Sequence, residues 1–319
     1  MKIARSLRDV TPAKGSVVTV GTFDGVHRAH QEIIREAVNR ARMREGRSVV
    51  ISFDPHPREV VSSARGGDLR LLSTTEERSK LLEGLRVDLL LILPFTTEFS
   101  RLGPDEFYRD YVVNGVGVSE VVVGYDHMFG HGRKAGPEDL VRMGKEFDFS
   151  VFAVHPFTID GEAVSSTKIR KALAAGDLDL ARRMLGYRYG LSGSVVRGDA
   201  RGASLGFPTA NILPESPRKM IPARGVYAAA VETGQGQFFG MMNIGDRPTV
   251  TEGTHETLEV HLFDFAGELY GEKLRVTFLA RLRDEKRFGG VEELVAQLRQ
   301  DREDALRVVH EFRHHHFPS

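Results

Sequence analysis

The sequence predicts a doubly wound α/β domain over 1–186 followed by a small closed antiparallel β-barrel over 187–319. Three observations carry this. Up to about Val154, short β-rich apolar runs alternate with longer amphipathic stretches, as when helices cover both faces of a parallel sheet. From Tyr189 to Leu282 the period changes to short alternating runs punctuated by Gly and Pro, the pattern of closely spaced antiparallel strands. At 319 residues the chain is long enough to bury two ordinary cores.

In order, Val17–Val20, Val49–Phe53, Leu89–Leu93, Val121–Val123 and Val151–Val154 read as buried parallel strands. Between them Gln31–Arg44, Thr75–Leu85, Asp105–Val113 and Pro137–Phe147 read as helices, the last two with Pro at or just before the first turn. In such a sheet the ligand lies beyond the carboxyl ends of the strands, and the unusual loops fall there. The helical run Ile169–Ala175 and a short helix before Gly186-Tyr187 lead to the boundary. The barrel strands are expected at Leu191–Arg197, Gly225–Glu232, Gln237–Ile244, Thr257–Phe263 and Leu274–Ala280. Two helices, Val291–Arg299 and Asp301–His314, end the pattern.

Composition excludes several classes. Lys+Arg and Asp+Glu balance at 44 each, so no global field favours nucleic acid or an anionic membrane. Without cysteine there is no disulfide framework, thiolate nucleophile or thiolate zinc site, which fits a reducing cytoplasm. Met1–Asp9 lacks the apolar core of a signal peptide, and Leu89–Leu93 is far too short to span a membrane. His314–His316 reads as a solvated tail.

Chemistry concentrates in a few stretches. Gly21–Gln31, Gly-Thr-Phe-Asp-Gly-Val-His-Arg-Ala-His-Gln, runs from a strand through a Gly-punctuated turn into a helix. Backbone N–H groups and a positive helix end meet there, a site for an anionic nucleotide tail. His27 and His30 share a face of the first turn and can donate to charge developing on phosphorus oxygens; an isolated HxxH pair would more often be space-filling residues at a helix start. Phe53-Asp54-Pro55-His56-Pro57 is a stiff loop after the second strand, and Gly124–Gly130 follows the fourth. Ser165–Arg170 offers hydroxyl and cationic donors at a helix start, for capping or for phosphates.

In the barrel half, Gly198–Asn211 is a Gly-rich loop ending in Phe207-Pro208-Thr209-Ala210-Asn211. Its backbone can approach phosphates, while Thr209 and Asn211 supply neutral oxygens of the kind Mg²⁺ accepts. Strand alternation puts Glu259 and His261 on one face and Val260 on the other. A carboxylate in that setting can take the proton of an attacking hydroxyl, or can simply face solvent.

Together these stretches resemble the bacterial bifunctional riboflavin kinase/FAD synthetases over nearly the whole chain and in the same order. Gly21–His30 is similar to the T/HxGH motif of nucleotidylyltransferases, His56-Pro57 to the family's F-x-P-H-P loop, and Ser165–Arg170 to its S-S-T-x-I-R motif. Gly206–Asn211, Gly240–Thr249, Leu258–Phe265 and Arg283–Phe288 resemble its flavokinase segments. The resemblance implies a Rossmann-like nucleotidylyltransferase domain followed by a riboflavin kinase barrel. It implies catalytic roles for Glu259, His27, His30 and Arg170, with ATP or phosphate contacts from Gly21, Phe23, Asp24, Ser166, Thr167, Gly198, Gly206 and Pro208. Flavin contacts fall to His56, Pro57, Asp126, Asn243, Arg283 and Phe288, and metal ligation to Thr209 and Asn211. Implied with these are Mg²⁺, ATP as co-substrate, riboflavin, FMN and FAD as substrates and products, a cytoplasmic setting, and a monomer or weak homo-oligomer. Four positions depart from the family pattern: Ala29, His127, Met128 and Ala203. Ala29, His127 and Met128 leave open a riboflavin kinase with an impaired adenylyltransferase half, Ala203 bears on a phosphate contact of the kinase loop, and a non-catalytic flavin- or nucleotide-binding regulator is the other alternative. A pantetheine- or headgroup-type nucleotidyltransferase would explain Gly21–His30 and leave the barrel unexplained.

Overall fold

The structure is a computed structural model that describes residues 1–62, 69–125, 128, 130, 135–198, 202, 205–247 and 255–316. The chain packs as two compact units, Met1–Ser166 and Thr167–Ser319.

The first unit is built on a six-stranded sheet in the order β1-β4-β3-β2-β5-β6, from β1 (Lys2–Ala4), β2 (Ser16–Val20), β3 (Ser48–Asp54), β4 (Leu89–Pro94), β5 (Val118–Gly124) and β6 (Ser150–Val154). Every pairing in it is parallel. Its central strands are near-continuous apolar runs because both faces are covered. On one face Val18, Val49, Ile51, Leu89, Leu91 and Val121 pack with Tyr108, Val112, Leu140 and Met143. On the other, Val50, Leu90 and Ile92 pack with Ile34, Val38 and Leu82 of α1 (Arg28–Met43) and α3 (Thr75–Gly84). From β2 the chain winds outward to β3 and β4, then returns to β5 on the opposite side of β2. The strand order therefore reverses at β2, and the crevice at its carboxyl end is where this architecture binds ligands.

Three details were hidden from pattern reading. β1 is a three-residue edge strand carrying Lys2, too short to show a period. The expected helix Asp105–Val113 is a short α4 (Pro104–Phe107) running into a π-helical stretch, Tyr108–Asn114, which buries Tyr108 and Val112. A small hairpin, β7 (Thr158–Ile159) with β8 (Glu162–Ala163), follows β6. The helices α2 (Pro57–Ser62) and α5 (Pro137–Phe147) complete this unit.

The second unit is a closed barrel in the order β10-β13-β12-β11-β14-β9, with every described pairing antiparallel. Its strands are β9 (Gly190–Val196), β10 (Ala210–Pro214), β11 (Gly225–Thr233), β12 (Gly236–Arg247), β13 (His255–Leu262) and β14 (Lys273–Arg283). β10 begins inside the phosphate-loop motif, where sequence reading placed no strand; Asn211 and Ile212 pair with Val196 and Val195 and so close the cylinder. The helices α6 (Ser166–Ala174) and α7 (Leu178–Leu185) precede the change of periodicity at 186–187, yet from Thr167 onward they pack with the barrel. Ala223 N, for example, donates to Leu173 O.

The two expected terminal helices form one helix, α8 (Val291–His316). Asp301 reads as the start of a second helix because aspartate favours N-caps. Its buried carboxylate instead takes both Nε and Nη2 of Arg283, at 2.8 and 2.7 Å, and the helix continues through it.

Candidate active sites

In the first unit the site is assembled around the loop between β2 and α1. Positive φ at Phe23 (48°), Gly25 (76°) and Val26 (36°) folds this loop tightly. Such values strain a phenylalanine and a β-branched valine, and strain of this kind persists only where the surroundings impose it. Phe23 and Val26 are accordingly buried in the core.

His27 is the N-cap of α1, its Nδ1 accepting from His30 N at 3.4 Å. The imidazoles of His27 and His30 stack with centroids 3.6 Å apart, and Phe23 meets His30 edge-on at 5.3 Å. Burial, then the neighbouring His27, holds the His30 pKa well below its ordinary value of 6.5, so the ring is neutral at neutral pH. Its Nδ1 is buried without a protein partner. A neutral imidazole can still donate one N–H to an incoming oxygen.

Asp24, expected at the phosphates, is 1% exposed. Its carboxylate accepts from Leu72 N at 3.1 Å and Ser73 N at 3.0 Å, while Ser73 Oγ accepts from Gly25 N at 2.8 Å. These bonds anchor the loop to the segment leading into α3. Ser166 Oγ donates to Asp24 O at 3.1 Å, which brings the Ser165–Arg170 motif to the histidine loop at that residue. Thr167 and Arg170 follow on α6. Gly21 N donates to Ile51 O of β3, and His56, at the start of the loop beyond β3, is buried with Nδ1 accepting from Arg58 N at 3.1 Å. Pro57 opens α2. Asp126, His127 and Phe129 lie outside the described residues; Met128 is exposed.

In the second unit the directly paired residues Asn211 of β10, Glu259 of β13 and Asn243 of β12 form a row across three strands. Leu258, Val260 and Leu262 are buried while Glu259 and His261 alternate with them, as strand geometry requires. Thr209 Oγ1 donates to Glu259 Oε2 at 3.2 Å. His261 Nδ1 lies 2.8 Å from Pro208 O, and since a carbonyl only accepts, the imidazole donates there. This bond ties the Pro208-Thr209 turn to the strand bearing Glu259. The turn is shaped by Phe207 N donating to Gly202 O at 2.9 Å and by a φ of 82° at Gly206. Gly198 lies directly against the Asn211 amide, where any Cβ would overlap it.

Thr209 and Asn211 thus present hard, neutral oxygens beside a carboxylate, a donor set that suits Mg²⁺. Among the described residues no cluster of three His, Cys, Asp or Glu forms a protein-only cage. Asn243 stands beside Gly245 and the Glu285 carboxylate. Arg283 is engaged by Asp301 and also donates to Asp284 O at 2.9 Å, with Phe288 5.8 Å from its guanidinium. Residues 199–201, 203–204 and 248–254, Ala203, Pro248 and Thr249 among them, lie outside the described residues.

Comparison with known proteins matches residues 10–168 to the FAD synthetase family model and 185–309 to the riboflavin kinase family model. The chain is 37% identical to a bifunctional riboflavin kinase/FMN adenylyltransferase of Listeria monocytogenes, over 90% of each sequence. It is 36% identical to the protein of that name from Escherichia coli K12, over 94% of this chain and 96% of the other. A solved structure described as a macrolide-efflux protein from Streptococcus pneumoniae superposes with a TM-score of 0.85 at 33% identity, covering 96% of this chain and 98% of that one. Efflux is said of that protein. In the present chain no helix among the described residues is long and apolar enough to cross a membrane.

Proposed function

The chain belongs to the family of bifunctional riboflavin kinase/FMN adenylyltransferases, and on that premise we propose that it makes FMN from riboflavin in residues 187–319 and FAD from FMN in residues 1–186. The observation that carries the reading is the Thr209–Glu259 hydrogen bond within the row Asn211–Glu259–Asn243. It joins a general base to the turn that would hold the phosphates of ATP.

In the kinase step Glu259 accepts the proton of the riboflavin 5′-hydroxyl as that oxygen attacks the γ-phosphorus, and ADP leaves. Thr209 and Asn211 would hold Mg²⁺, which when bound offsets charge on the phosphates. Gly198, Gly206 and Pro208 keep the backbone close enough to contact those phosphates, and Asn243 and Phe288 face the flavin. In the adenylyl step an FMN phosphate oxygen attacks the α-phosphorus and pyrophosphate leaves. Here the protein contributes positioning and electrostatics. His27 and His30 donate to the α-phosphate; Ser166, Thr167 and Arg170 take the departing pyrophosphate. Gly21 and Phe23 shape the loop under the nucleotide, and His56 and Pro57 border the flavin phosphate. The geometry supports a loop-holding role for Asp24 and a helix-holding role for Arg283, in place of direct ligand contacts. The balanced charge and absence of cysteine support a cytoplasmic setting.

The test separates flavins chromatographically after incubation with Mg²⁺, ATP and either riboflavin or FMN. FAD is expected from both. For Glu259→Gln, FMN formation should fall by a factor on the order of 10²–10⁴ while FAD formation from supplied FMN persists. FMN without FAD would leave a riboflavin kinase alone, and no product from either would leave a binding protein.

A further inference from the structure

Arg78 was not among the residues that pattern reading singled out, yet it is one of the few charged side chains in the interior of the first unit, 4% exposed on α3. Its Nη1 donates to Thr22 O at 2.9 Å, and its Nη2 donates to Phe53 O at 3.3 Å and Thr75 Oγ1 at 3.4 Å. Thr22 lies in the strained loop that carries His27 and His30; Phe53 is the last residue before Asp54-Pro55-His56. A single planar guanidinium therefore grips the loop that leaves β2 and the carboxyl end of the adjacent strand β3, just before the His56 loop begins. Ser52 Oγ gives Thr22 O a second donor at 3.3 Å, so that carbonyl is held from both sides.

The same segment grips the loop again just beyond, through Asp24 to Leu72 N and Ser73 N and through Gly25 N to Ser73 Oγ. Phe23 and Val26, the two non-glycine residues of this loop with positive φ, each lie beside one of these attachments. Three neutral oxygens accept the guanidinium's bonds, so its charge is not neutralised by contact, and burial lowers its pKa against the opposing pull of Asp24 and Asp54. An arginine stays cationic even so.

We propose that Arg78 is a positioning residue of the adenylyl-transfer site, locking the histidine loop and the His56 loop at a common depth and placing a fixed positive charge beneath the position where ATP and FMN phosphates meet. The inference rests on the function proposed above for this unit. Neither loop is held in that relation by α1, whose own cap is His27. Small displacements of reacting groups cost rate steeply, so the effect falls on turnover more than on binding.

The test uses the full chain, with thermal unfolding of the same preparation reporting that the first unit is folded and riboflavin phosphorylation reporting on the second. Arg78→Met should lower kcat for FAD formation from FMN by a factor on the order of 100, with KM for ATP changed far less and FMN formation from riboflavin intact. Arg78→Lys, which restores the charge but not the fork, should fall between Arg78→Met and the wild type. Unchanged kcat in Arg78→Met overturns the proposal, as does a parallel loss of both activities in soluble protein. If Arg78→Met does not accumulate, Ser73→Ala removes the second attachment with a smaller change, and a drop of about 10-fold in FAD formation is expected; an unchanged rate overturns the proposal. A wild type that makes no FAD from FMN overturns the functional reading itself, a result distinct from any variant outcome.

Discussion

Protonation sets His30, on the first turn of α1, apart from an ordinary surface histidine. In the unfolded chain His30 takes up a proton as pH falls through its ordinary value of 6.5, whereas in the native state burial and His27 keep it neutral to lower pH. Below that value the unfolded state binds more protons, so acidification removes stability, and the loss continues until the native ring also protonates. His30→Gln, which has no such group, should lose less in Tm between pH 7.5 and 5.5 than the wild type does, as followed by thermal unfolding. Equal losses would show that the ring is not shielded. At this scale much of the site was legible, because His27, Glu259, Thr209 and Asn211 belong to short motifs whose chemistry is local. Asp24 was legible as a residue but not in its use. Whether a carboxylate meets a phosphate or backbone N–H groups depends on the Leu72-Ser73 segment, far away in sequence.

Elements behave as their cross-connections dictate. α8 runs unbroken through Asp301 because Arg283, at the end of β14, takes that carboxylate in a bidentate pair within a mostly buried setting. Gln297 Nε2 adds a further donor at 2.9 Å. Removing one partner of a buried pair leaves the other charge uncompensated, which costs about 3–5 kcal/mol. Asp301→Ala should therefore destabilise the second unit by that order, loosening α8 from the barrel. Thermal inactivation of riboflavin phosphorylation would show it, and an unchanged midpoint would mean that the apolar contacts of Ala305 and Val309 suffice to hold the helix. Most strands, and the helices α3 and α5, were readable from periodicity, since a parallel sheet covered on both faces writes continuous apolar runs into its strands; α2, directly after the Pro55-His56 turn, was not. β10 and the π-helical stretch were not, because one lies inside a loop motif and the other differs from an α-helix only in its hydrogen bonds.

For the whole molecule, two separate units with separate chemistry imply that FMN can be made on one chain and used on another. On the proposed assignment Glu259→Gln should retain adenylyl transfer, and a chain carrying both His27→Ala and His30→Ala should retain kinase turnover. Neither alone should convert riboflavin to FAD at an appreciable rate, whereas their mixture should, with FMN rising first and FAD after a lag. Failure of the mixture, with each half-reaction intact, would mean that FMN must stay on the chain that made it. The sequence by itself determined the two-part architecture and the order of its motif-bearing stretches, because apolar periodicity and short Gly-, Pro- and His-bearing motifs act over a few neighbouring residues. Only the tertiary structure decided that α6 and α7 pack with the barrel, that Asp301 continues a helix and that Arg78 joins the β2–α1 loop to the end of β3. Each of those depends on which distant backbone or side chain arrives alongside, and no local pattern encodes that meeting.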